Sequence, residues 1–193
     1  MSQTFQTISK VTESLFKDRG SKFVGYAFPV SSVDEVKSKL NYVKSLHPTS
    51  RHVCFAYQLG IDRSLYRAND DGEPNGSAGL PILNQIRSKE VTDTLVAVVR
   101  YFGGTKLGVS GLINAYKKVA KDALDQSEVV THIPMATVSI QFPHSSIGGV
   151  ERLIRQYGWG IKNQEFGMEC KWDIETPVQE EMAAKEAFSL LLG

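Results

Sequence analysis

The chain has 193 residues, 22 Lys+Arg against 21 Asp+Glu for a net charge of +1, and is 41% hydrophobic and 22% charged. That composition excludes wholesale disorder and supplies enough apolar surface for a sizeable core, and no apolar run approaches the roughly 20 residues of a membrane-spanning helix. Two cysteines, Cys54 and Cys170, exclude a disulfide framework and a CxxC zinc site, and MSQTFQTISK carries neither a basic leader nor an apolar signal core, so a reducing, cytoplasmic setting is expected.

In chain order, TFQTIS and TESLFKD read as extended segments, and SKFVGYAFPV after Gly20 completes a hairpin or meander. In SSVDEVKSKLNYVKSLHP the residues Val33, Val36, Leu40, Val43 and Leu46 recur at helical spacing, with Ser31 or Ser32 as cap and Pro48 beyond the end. HVCFAYQLG is a buried strand that SLYRA pairs with, ANDDGEPNGSAGL is turn chemistry, and SAGLPILNQIRSK is a short helix with Pro81 in its first turn. TLVAVVRYF is a fully buried strand, followed by GGTKLGVSG and a long helix with Leu112, Ile113, Tyr116, Val119, Ala120, Ala123 and Leu124 on its apolar face.

After about Ser127–Pro134 the pattern changes to strand (ATVSIQFP), helix (SSIGGVERLIRQYG), two strands (WGIKNQEF, MECKWDIET) and helix (PVQEEMAAKEAFSLLL). Two domains are expected, 1–130 and 131–193, both of the α+β class. The first carries 17 Lys+Arg and 13 Asp+Glu, the second 5 and 8, so the near-neutral total divides into +4 and −3.

Three segments carry candidate chemistry. Arg100-Tyr-Phe-Gly-Gly-Thr-Lys-Leu-Gly-Val-Ser-Gly111 joins a buried strand to a helix start, where free N–H groups and the helix dipole favour an anion. Arg100 and Lys106 add charge, and Tyr101 and Phe102 offer stacking surfaces. The loop matches neither GxxxxGK[ST] nor GxGxxG, and the alternative is a tight strand-to-helix connection. In Asn69-Asp-Asp-Gly-Glu-Pro-Asn-Gly-Ser77 the carboxylates Asp70, Asp71 and Glu73 repel, so a cation is expected to offset them: Arg51, Arg67, Lys106 or a metal ion. A polar turn is the favoured reading, with Asn75 or Ser77 capping the next helix, and a magnesium site is the minority one. His52 and Cys54 share one face of a strand, but no triad assembles, and Cys54 reads as a small core residue. Trp159 and Trp172 read as packing the small second core. No catalytic residue, cofactor or assigned metal site follows from these patterns.

RHVCFAYQLG, DDGEPNGSAGLPIL and VVRYFGGTKLGVSGLINAY, in this order and spacing, resemble the signature of the Impact/YigZ family over residues 20–127, and the remainder resembles the second domain of its bacterial branch. Ser77 stands where Thr is usual, Val109-Ser110 where a small residue and Gly are usual, and the chain ends at Gly193 ahead of the family's usual last strand. The resemblance implies a first domain like domain four of elongation factor G, a ribosomal-protein-type βαβ fold shared with some small-molecule kinases. It implies a ferredoxin-like second domain similar to domain five of that factor, with an unpaired sheet edge here. Eukaryotic members regulate translation under amino-acid starvation by competing for an activator of a stress kinase. The resulting expectation is a non-enzymatic, translation-associated regulator that binds RNA or the ribosome through Arg51, His52, Arg100, Tyr101, Gly103, Gly104, Lys106, Gly108, Ser110 and Gly111. The alternatives are a protein-interaction module serving a translation stress response and a magnesium-dependent enzyme acting on a phosphorylated small molecule. Neither a membrane partner nor DNA sequence specificity is expected, and with only +4 on the first domain any RNA contact is local.

Overall fold

The structure, a computed structural model, describes residues 4–193; Met1–Gln3, the first part of the stretch read above as free of a leader, lie outside it. A short strand, β1 (Phe5–Ile8), precedes a hairpin of β2 (Thr12–Asp18) and β3 (Ser21–Pro29). Helix α1 (Val33–Leu46) begins at Ser32, whose hydroxyl accepts from Glu35 N–H at 3.2 Å, while the Glu35 carboxylate accepts from Ser31 N–H at 2.7 Å. This reciprocal pattern satisfies two free donors at the helix start.

Strands β4 (His52–Leu59) and β5 (Leu65–Asn69) form a second hairpin, followed by α2 (Gly79–Ser88), β6 (Thr94–Tyr101) and α3 (Gly108–Asp125). The sheet is antiparallel with order β2-β3-β6-β4-β5. Every residue of β6 from Thr94 to Arg100 is buried, as its apolar, β-branched composition leads one to expect of the central strand. β3 and β4 flank β6 and run parallel to each other, joined by α1. Val36 and Val43 of α1 pack with Val24, Val53, Leu95, Ala97 and Val99, and Ile82, Tyr116, Val119 and Ala123 of α2 and α3 pack with Phe23, Cys54, Val96 and Val98. An antiparallel sheet thus carries an apolar core on each face.

One expectation changes. TFQTIS does form a strand, but β1 does not join the meander; it pairs with β7 (Val129–His132), from Phe5 opposite His132 to Ile8 opposite Val129. A four-residue strand names no partner, and this one lies some 120 residues downstream.

The chain divides into two compact units, one of Phe5–His132 and one made chiefly of Ile133–Gly193. In the second, β8 (Met135–Phe142), α4 (Ile147–Tyr157), β9 (Gly160–Phe166), β10 (Cys170–Pro177) and α5 (Glu181–Leu192) form a three-stranded antiparallel sheet of order β8-β10-β9 with its own core. Trp172 and Trp159 pack there as expected, the Trp159 indole donating to Glu180 at 2.8 Å. Among the described residues β8 pairs with β10 alone, and no helix is long and apolar enough to cross a membrane.

Candidate functional site

The motif segments meet at one end of the five-stranded sheet, where β4 begins and β6 ends. Cross-strand pairing aligns His52, Arg100 and Phe23 on the face that α2 and α3 cover. Arg100 therefore turns inward with Val96 and Val98. Its Nη1 donates to both oxygens of Glu73 at 2.7 and 2.9 Å, and both side chains are more than nine-tenths buried. The Tyr116 hydroxyl donates to the same carboxylate at 2.8 Å, and the Cys54 thiol lies 3.3 Å from that hydroxyl and 3.0 Å from the Asp70 carbonyl. Arg100, expected to reach a phosphate, is instead the buried partner of Glu73: a cation can enter a core only with its counter-charge.

The DDGEP segment divides its carboxylates among three separate tasks. Asp70 accepts from Gly76, Ala78 and Gly79 N–H at 2.8–2.9 Å and so closes the open start of α2. The expected cap by Asn75 or Ser77 is thus replaced by a residue eight positions before Ala78; Ser77 donates to the Pro74 carbonyl instead. Asp71 accepts from Val53 N–H at 2.7 Å, and its carbonyl accepts from His52 Nδ1 at 2.7 Å. Glu73 neutralises Arg100. Three groups that point at different partners leave the magnesium reading without a convergent donor set.

Cys54 is a core thiol, as its setting in VCFAYQL suggests. Burial pushes it up to about 12, against a smaller opposing effect of the Tyr116 hydrogen bond. Tyr116 is pushed upward as well, first by burial and then by Cys54 and Glu73. Iodoacetamide at pH 8 is expected to leave Cys54 unmodified in the folded protein and to alkylate it in denaturant, read from the mass of its tryptic peptide. Alkylation at equal rates in both states would contradict the burial argument.

Above this network lies a cleft of about 370 Å³ lined by Thr49, Arg51, His52, Arg100, Tyr101 and Phe102. Arg51 is exposed and makes no ion pair among the described residues, and Phe102 is 57% exposed. His52 is held by its Nδ1–H donation to Asp71, which leaves Nε2 without a partner among the described residues. Arg100 Nε is buried and also unpartnered, so the floor keeps one free donor.

On the α1 face the Tyr101 hydroxyl bonds His47 Nδ1, and the Tyr26 hydroxyl bonds His47 Nε2, both at 2.8 Å. Burial pushes His47 below the ordinary imidazole range, with Lys22 adding to the effect and Glu13 opposing it. Burial, then Glu13, pushes Tyr26 up to about 12. This chain fixes the ring of Tyr101 beside the cleft. Sequence pattern alone leaves His47 a histidine at an element end without ligand spacing, sets Tyr116 only on the apolar face of α3 and gives Tyr26 no role; the register of β3 on β6 sets Tyr26 and Tyr101 on one face.

The glycine-rich segment splits in two. Gly108, Val109, Ser110 and Gly111 already belong to α3, and the loop proper is Phe102–Leu107, with Lys106 exposed outside the cleft lining. Gly103 lies against the β2–β3 turn, its N–H donating to Ser21 Oγ at 3.3 Å, so close to Gly20 that a Cβ would overlap backbone atoms. Gly103 thus serves backbone-to-backbone packing. Gly104, with φ of 87°, has open space around it.

The Impact N-terminal domain family model covers residues 19–124. IMPACT family member YvyE of Bacillus subtilis is 31% identical over 180 residues, 93% of this chain and 82% of that protein. IMPACT family member YigZ of Escherichia coli is 32% identical over 148 residues, 76% of this chain and 72% of that protein. A crystal structure described as that of a hypothetical protein is similar with a TM-score of 0.76 at 28% identity, covering 97% of this chain and 92% of the other.

Proposed function

The chain belongs to the IMPACT family, and from that premise we propose that it is a translation-associated regulator that binds RNA, on its own or within the ribosome, through the cleft between Arg51 and Phe102. The observation that carries this reading is the pairing of an unneutralised guanidinium, Arg51, with a half-exposed aromatic ring, Phe102, on one concave surface. Cations neutralise phosphates while aromatic rings stack on unpaired bases, and the combination suits single-stranded RNA. Lys106, exposed on the adjoining loop and without an ion pair among the described residues, adds a second cation. Gly104 lies in the same loop, and Gly108, Ser110 and Gly111 begin α3, whose start has no side-chain cap. Arg100 acts from beneath: it supports the floor rather than supplying charge.

The expected experiment is a titration of a labelled single-stranded oligouridylate octamer. Phe102→Ala should weaken binding by about 5- to 150-fold, the range of one lost base–aromatic stack. Arg51→Ala with Lys106→Ala should lower the slope of log K against log[salt] by about 1.4 for two phosphate contacts. Unchanged affinity and slope in both variants would overturn the reading. Recovery of one discrete protein after nuclease treatment would instead favour the protein-interaction alternative.

The rest of the reading follows the same premise. The β3-α1-β4 crossover about β6 supports likeness to domain four of elongation factor G, and the β-α-β-β-α sequence with strand order β8-β10-β9 supports a ferredoxin-like second domain. Two buried free thiols suit a reducing cytoplasm.

A further inference from the structure

We infer that Lys17 and Lys22 carry the phosphate backbone of a single-stranded RNA across the end of the sheet and into the cleft. This rests on the RNA reading above and adds the direction in which the strand lies. Lys17 of β2 stands directly opposite Lys22 of β3, and Lys22 directly opposite Tyr101 of β6. Cross-strand partners share a face, so the three side chains form one row on the α1 side. Lys22 Nζ lies 5.9 Å from the Tyr101 ring centroid, and Tyr101 lines the cleft together with Arg51, the residue before β4. The row therefore continues from two lysines through a tyrosine to an arginine. At about 4.8 Å between neighbouring strands, it extends roughly 14 Å from β2 to β4.

Like charges directly opposite on adjacent strands are destabilising. Lys17 and Lys22 are both exposed, and neither has a carboxylate partner among the described residues. Asp18 beside them pairs with Arg19 at 3.9 Å. A repulsion left uncompensated in the free protein is relieved by a polyanion. Of the polyanions, single-stranded RNA is favoured over an acidic peptide by the aromatic rings at the end of the row, Tyr101 and the 57% exposed Phe102.

The test uses the full chain and the oligouridylate octamer. Lys17→Ala with Lys22→Ala should lower the salt slope by about 1.4, the loss of two phosphate contacts to a single strand. The charge-matched control Lys117→Ala with Arg152→Ala removes two exposed cations elsewhere and should leave the slope unchanged. Lys17→Glu turns the repulsion across the same rung into an attraction; it should raise the melting temperature of the free protein while weakening octamer binding, a pair of opposite shifts that a merely structural lysine does not give. If the unmodified protein binds the octamer and loses it on Phe102→Ala, yet keeps its full slope without Lys17 and Lys22, the track is wrong and the cleft stands. If the unmodified protein does not bind the octamer, both are wrong. Displacement of the octamer by polyglutamate at equal charge concentration would reassign the row to an acidic protein segment and overturn the track.

Discussion

Replacing Glu73 by alanine is expected to cost about 3–5 kcal/mol of folding stability, the usual price of leaving a buried charge without its partner. Against a total of roughly 5–15 kcal/mol for a domain, this is enough to bring the five-stranded unit close to unfolding at room temperature. The Glu73 carboxylate accepts two hydrogen bonds from Arg100 Nη1 and one from Tyr116. Its loss strands a guanidinium between Phe23 and the cleft floor, with Ser21 Oγ at 3.5 Å as a poor substitute. Urea unfolding should show a lower midpoint at an unchanged slope. Glu73→Gln keeps the shape and removes the charge, and should be nearly as costly. Adding Arg100→Met to Glu73→Ala should restore most of the loss, because the desolvated cation is then gone. A double variant no more stable than Glu73→Ala alone would show that packing, not charge, sets the cost.

Gly103→Ala is expected to cost at least the upper part of the roughly 1–3 kcal/mol typical of overpacking, because nothing near the new methyl group is able to yield. The added carbon would overlap Gly20 C and O and Ser21 N, all backbone atoms. Relief requires the Phe102–Leu107 loop to lift off the β2–β3 turn, which breaks the Gly103–Ser21 hydrogen bond and moves Phe102. Gly104→Ala is the control: its φ of 87° imposes a left-handed penalty of about 1–2 kcal/mol, with no neighbour within 4 Å. Thermal melts should rank Gly103→Ala well below Gly104→Ala. Equal melting temperatures would mean that the loop and the turn are not in contact.

Much of the fold is legible where periodicity is strong. The 3- and 4-residue spacing of Val33, Val36, Leu40 and Val43 marks α1, and the polar-free run up to Val99 marks β6 as the buried centre. The site is less legible, because residue type does not reveal which way a side chain faces. Arg100 next to a glycine loop reads as a phosphate ligand. Its period-2 neighbours Val98 and Val96 are core residues, but so are Leu95, Ala97 and Val99 on the other face, and a strand buried on both sides offers no alternation to mark where burial ends. Glu73 and Asp70 belong to a turn whose composition is generic, and their partners lie 27 residues away at Arg100 and up to nine away at Gly79. Lys17 and Lys22 became a pair only through the strand register, which no count of charges contains.

The ribbon of β1 and β7 bears on how the chain is made and divided. It ties Phe5 to His132, the first and last residues of the larger unit, so that unit is fastened by its own ends before any of the following sequence is needed. During synthesis the sheet has to wait for β6 to reach β3, and the fastening waits further, for Val129–His132. The conformational entropy of the intervening chain is therefore surrendered at a late, long-range step, after which α3 is held at both ends, by Leu107 in the core and by β7 beyond it. A break in the linkage after His132 would leave that fastening whole.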